Sequence, residues 1–165
     1  MKWFKSQHKQ VLTLDQVVSL FIKLTGDVVK DASQALGEDL DAEDQSKLPK
    51  VEDELCFFWF FALSYWWTRD HARTDEQRRV FWEIFSAHLR ILFGDDPKGL
   101  AMQDTFQERL NAYAQIVNEK QDDKAKLFGL ATKLSDFCDI SHPFSLSLAP
   151  ALFRQAMESV YAFHR

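Results

Sequence analysis

Cysteine is scarce in this sequence: Cys56 and Cys138 are its only two. Two thiols cannot make a disulfide framework, and without a Cys-x-x-Cys pair or a Cys/His cluster they offer no zinc set. Both lie in apolar stretches, where small buried thiols in a reducing compartment are expected. Glycine is thin as well, at five residues. They are too scattered for a phosphate loop or a dinucleotide fingerprint, and no Gly-x-Ser-x-Gly elbow presents a nucleophile. Ser141-His142 are neighbours in sequence, which reads as a cap before Pro143 rather than a nucleophile and its base.

Long hydrophobic runs are missing. The longest, Leu55–Trp67, has 13 residues, whereas a membrane-spanning helix needs about 20. Glu52, Asp53 and Glu54 precede it and Arg69, Asp70 and His71 follow it, so a buried core helix is expected. No signal-peptide core follows Met1. Residues 1–12, with Lys2, Lys5 and Lys9, read as an N-terminal extension, and the cytoplasm is the default location. Excess positive charge is lacking too: 20 Lys and Arg stand against 25 Asp and Glu, with a sequence pI of about 5.5. Arg69, His71, Arg73, Arg78 and Arg79 are nearly cancelled by Asp70, Asp75 and Glu76, which disfavours a nucleic-acid partner.

What is abundant is aromatic surface, with 15 Phe, 5 Trp and 3 Tyr. Such side chains bring large apolar area to a core, and 165 residues suit one domain. Apolar positions recur at helical spacing almost throughout. Thr13 with Gln16, and Thr74 with Gln77, match capping boxes at two helix starts. After Thr13 the stripe Val17, Phe21, Leu24, Val28, Ala32 and Leu36 runs to Gly37, with Gly26 as a break that would split it into two helices. Residues 38–50 are polar and read as an acidic loop closed by Pro49. A second long helix is expected from about Val51 to Ala72, with its acids in the first turn, where the helix dipole favours them.

Val80, Phe81, Ile84, Phe85, His88, Ile91 and Leu92 form the third stripe, ended by Gly94. Met102, Phe106, Leu110, Tyr113 and Val117 form a fourth, and Leu127, Ala131, Leu134 and Cys138 a fifth. The last, with Leu152, Phe153, Ala156, Val160 and Phe163, is expected to start near Pro150. The fold class is therefore all-α: a single-domain bundle of about six helices around a central aromatic one.

Three features are candidates for function. Between Glu38 and Glu54 eight acids stand against two lysines, a net −6 beside −5 for the whole chain. Negative charge is thus local, and Asp39, Asp41, Glu43, Asp44, Glu52 and Asp53 are candidate contacts for a basic protein partner. Asp39-Leu-Asp41-Ala-Glu43 imitates the start of a calcium loop, but Asp44 and Lys50 occupy the positions that need Gly and Glu. The second feature is the aromatic helix, where Trp59, Tyr65 and Trp66 could line a pocket, with Gly26 and Gly129 leaving gaps on neighbouring helices. The third is His88, placed by the stripe on an apolar face, where a satisfied structural histidine is the ordinary reading. No Glu-x-x-His or His-Glu-x-x-His accompanies it, so no metal or other cofactor is expected. The expected function is a non-enzymatic interaction or regulatory protein that binds through the acidic segment. The alternative is a small-molecule binder, or an enzyme, using an aromatic-lined cavity. Self-association stays open.

Overall fold

The computed structural model describes residues 12–140 and 143–162, and the helices there follow one another as α1 (Leu14–Asp39), α2 (Ala42–Gln45), α3 (Leu48–Asp70), α4 (Asp75–Phe93), α5 (Pro97–Glu119), α6 (Asp123–Cys138) and α7 (Ser145–Ala162). The protein is all-α, with no strand among the described residues. Most of the extension 1–12, Ser141-His142 and Phe163 lie outside the described residues.

Both capping boxes form. Gln16 N donates to Thr13 Oγ1 at 3.3 Å while Thr13 N donates to Gln16 Oε1 at 2.9 Å. Thr74 and Gln77 exchange the same bonds at 3.2 and 3.1 Å. Each satisfies amide donors that a helix start leaves without an intrahelical partner. At the α4–α5 corner Gly94 takes φ +87°, a conformation that side chains with a Cβ rarely adopt. Asp96 then caps α5 by accepting from Gly99 N at 2.7 Å. A Cβ on Gly99 would meet Gly94 O at 2.3 Å, so this corner closes only over bare backbone.

α3 is the axis of the bundle. Leu55 and every residue from Phe57 to Leu63 are no more than 2% exposed. The helix packs on α1, α5, α6 and α7 and reaches α4 through Phe60–Phe85 and Trp67–Phe81. Many of the ring pairs are edge-to-face, such as Phe58–Tyr113 at 5.2 Å and Phe60–Phe85 at 5.8 Å. That arrangement sets the positive ring edge on the negative face. The stripes of α5, α6 and α7 are buried at Phe106, Tyr113, Val117, Ala131, Leu134, Cys138, Leu152, Phe153, Ala156 and Val160.

Four boundaries differ from the sequence expectation. α1 is unbroken through Gly26, whose exposed position costs only glycine's backbone entropy, about 1 kcal/mol relative to Ala. It passes Gly37 and stops at Asp39, with Leu40 extended and buried. The acidic stretch is mostly helical rather than a loop: Glu38 and Asp39 end α1, α2 follows, and α3 begins at Leu48. Pro49 stands in the first turn of α3, where its missing N–H costs nothing. α7 starts at Ser145, so Pro150 lies inside it, near its start. Only the Leu146 carbonyl loses its amide donor there, and burial of Ala149, Leu152 and Phe153 offsets that loss.

The face of α4 is also rotated. Phe81, Phe85 and Leu89, spaced by four, enter the core, while Ile91 is 82% and Leu92 48% exposed. His88 therefore stands at the edge of that face, not within it.

Candidate functional site

The aromatic helix opens at its C-terminal end. Tyr65, Trp66 and Arg69 of α3, Lys126 and Leu127 of α6, and Pro150, Phe153, Arg154 and Met157 of α7 enclose a cavity of about 180 Å³. Its floor is rigid. Phe153 lies 5.3 Å from the Tyr65 ring and 5.2 Å from Trp66, and Trp66 Nε1 donates to Phe153 O at 2.9 Å. That bond occupies the one donor of the indole, so Trp66 is fixed as a wall. The Tyr65 hydroxyl has no hydrogen-bond partner among the described residues and is the polar group left for a guest.

The rim is cationic in a chain whose net charge is −5. Arg69 places its guanidinium carbon 4.9 Å from the Trp66 ring centroid, with Asp70 beside it at 3.5 Å. Lys126 pairs with Asp123 at 3.4 Å. Arg154 is exposed and has no ion pair among the described residues. Three cations thus face one lining carboxylate, Asp123. The arrangement can take an apolar group between Tyr65, Leu127, Phe153 and Met157 and an anionic end at Arg154.

Of the other pocket candidates, Trp59 is fully buried core, and its Nε1 lacks an acceptor among the described residues. His88 is remote from this cavity. Its side chain is 23% exposed, and its Nε2 donates to Asp15 Oδ1 across 2.8 Å, tying α4 to the first turn of α1. Gly129 leaves no gap, because Ile116 Cγ2 would lie 2.9 Å from a Cβ there. Gly26 does face open space, on the far side of the bundle.

The six candidate acids are not one surface. Asp41 Oδ1 accepts from Glu43 N and Asp44 N at 3.1 and 2.9 Å and so caps α2. Asp44 is buried and pairs with Lys47 at 3.3 Å. Glu52 accepts from Ser33 Oγ at 2.8 Å, and Asp53 stands beside Glu52 on α3. Burial raises the Asp53 carboxyl above its ordinary range, Lys98 pulls it down, and Glu52 adds to the rise. Asp39 and Glu43, with Glu38, remain exposed without ion pairs among the described residues.

Sequence reasoning missed the strongest polar contact. Glu54 and Arg109 are 55 positions apart, yet Arg109 Nε donates to both carboxylate oxygens at 3.1 and 2.9 Å and Nη2 donates to Oε1 at 2.9 Å. Their side chains are 4% and 14% exposed. The guanidinium carbon also lies 3.8 Å from the Phe137 ring centroid. Nearby, burial lifts the Tyr113 hydroxyl well above its usual value and pushes the Cys138 thiol up to about 12. The thiol of Cys56 is likewise pushed up to about 12 by burial, with Asp53 adding. Thiols held protonated in this way are poor nucleophiles.

Among the described residues, no group of three or more His, Cys, Asp or Glu is placed to hold a metal ion, and no helix is long and apolar enough to cross a membrane. Comparison with known proteins gives no match: no family model, no curated protein and no solved structure aligns with the chain. Geometry alone has to carry the functional reading.

Proposed function

We propose that the protein is a non-enzymatic binding protein for a small ligand with an apolar body and an anionic end, held in the α3/α6/α7 cavity. The observation that carries this reading is a fixed aromatic floor under a rim of Arg69, Lys126 and Arg154 in an otherwise acidic chain. A cavity of about 180 Å³ matches one ring or a short chain; an apolar cavity of roughly 150 Å³ holds benzene. The cation available to the ligand's charged end is Arg154, because Arg69 and Lys126 each have a carboxylate beside them.

The test is a titration with benzoate, 2-naphthoate and octanoate, each beside its neutral amide, followed by side-chain nuclear magnetic resonance. Shifts are expected at Tyr65, Trp66, Phe153 and Met157, and Arg154→Gln should weaken binding about tenfold, the scale of one charge-assisted hydrogen bond. Equal affinity for acids and amides, or no shift at these residues up to saturation of the additive's solubility, would remove this reading.

A second reading, in which a basic protein partner docks on the acidic edge, is supported by one observation. Glu38, Asp39 and Glu43 are exposed and form no ion pairs among the described residues. Neutralising those three should slow association with such a partner and flatten its salt dependence.

A further inference from the structure

On the other side of α3 the molecule leaves a second opening. Two hollows of about 490 and 370 Å³ share Cys56 and Leu92 and so form one groove across α1, α3, α4 and the start of α5. Ile22, Val29 and Met102 continue its apolar floor, and Ile91 stands beside it 82% exposed. Two adjacent large aliphatic side chains turned to water, next to an apolar groove, are the kind of surface that marks an interface.

The charges on its walls say what kind. The α1 wall carries Lys23 and Lys30, two turns apart on one face. The opposite wall, from α3 and the start of α5, carries Glu52, Asp53 and Asp96 against Lys98. One wall is therefore net positive by two and the other net negative by two. A partner of either strong charge meets as many like charges as opposite ones here. A second copy of the same surface does not, provided its walls are exchanged. A two-fold axis running along the groove makes that exchange, whereas an axis across the groove would set each wall against its own kind.

We propose that this groove is a self-association surface, in which two copies meet about an axis along the groove with each lysine wall against the other's carboxylate wall. Ile91 and Leu92 of each copy close over the apolar floor of the other. Asp53, exposed and without an ion pair among the described residues, gains a cation in this arrangement.

Sedimentation equilibrium of the full chain from about 1 to 500 µM tests it, a range that brackets micromolar association. The wild type should pass from monomer to dimer, and Leu92→Asp should stay monomeric at every concentration with an unchanged far-ultraviolet spectrum. Phe128→Asp, at an exposed position of α6 outside the groove, should dimerise as the wild type does. Lys30→Glu and Asp53→Lys should each weaken the dimer about tenfold, and both changes in one chain should restore it to within about threefold, since facing charges couple. A wild type that stays monomeric throughout overturns the proposal, as does a dimer indifferent to Leu92→Asp. A double variant weaker than both single ones overturns the axis.

Discussion

The two ends of α3 are made of the same kind of residue and behave differently. At the N-terminal end Phe57, Phe58 and Phe60 meet Phe85, Phe93, Phe106 and Tyr113, and rigid rings from α4 and α5 fill the space around rings from α3. At the C-terminal end Tyr65 and Trp66 meet one ring from another helix among the described residues, Phe153, and otherwise the long side chains of Leu127, Met157 and Arg154. Rings pack on rings to interior density, while flexible chains around a fixed aromatic floor leave room. What decides between core and cavity is thus the partner that each neighbouring helix supplies, more than the aromatic run itself.

The largest effect should come from the sealed end. Glu54→Ala leaves the largely buried Arg109 with only the exposed Glu108 carboxylate, 2.8 Å from its Nη1, and is expected to cost about 3–5 kcal/mol in chemical denaturation. Glu54→Leu with Arg109→Met should recover most of that, because removing both charges also removes their desolvation. Failure to recover would mean that the pair is needed to specify the packing. Trp59→Ala should cost about 3–5 kcal/mol through the cavity it leaves. Trp66→Ala, at the open end, should cost only about 1–2 kcal/mol, since its ring is half-buried and loses one hydrogen bond. Equal losses at the two tryptophans would erase the distinction between the ends.

Alkaline titration sharpens the comparison further. The Cys138 thiol is held protonated up to about 12 in the fold against an ordinary value of 9.0. The unfolded chain therefore releases a proton first, and stability should fall as pH rises from about 9 to about 12, being untouched below that window. Each such group contributes a slope of about 1.4 kcal/mol per pH unit. Cys138→Ala should flatten the fall measured by denaturant midpoints in this range; an unchanged slope would place the titrating group elsewhere. The smallest effects belong to the acids. Asp41→Ala loses a helix cap, worth about 1 kcal/mol, whereas Asp39→Asn and Glu43→Gln should each shift stability by less than about 0.5 kcal/mol.

That ordering also shows where the sequence speaks and where it falls silent. Caps and stripes are local, so Thr13, Thr74 and the faces of α5, α6 and α7 could be read directly. The helical segments at 42–50 could not, because their acids look like solvent-facing loop until Asp41 is seen capping α2 and Asp44 pairing with Lys47. His88 and Leu89 are neighbours on the rim of one stripe, and a rotation of about one residue decides which enters the core. Glu54 with Arg109 needed the third dimension altogether. Of the cavity, the sequence could supply Tyr65 and Trp66, but not the cations that α6 and α7 bring to its mouth.

The corner between α4 and α5 has a consequence for how this chain can change over generations. A library of all single substitutions should find position 99 nearly closed, since even a methyl group there strikes the carbonyls of Phe93 and Gly94. Position 26 should be open to almost any residue as far as folding is concerned, because a Cβ there touches nothing within 4 Å, with large side chains costing only the self-association groove that it lines. Two glycines of one sequence thus differ as an anchor differs from an idle link. Lineages descending from this protein would be expected to drift among small residues at the second while carrying the first unchanged.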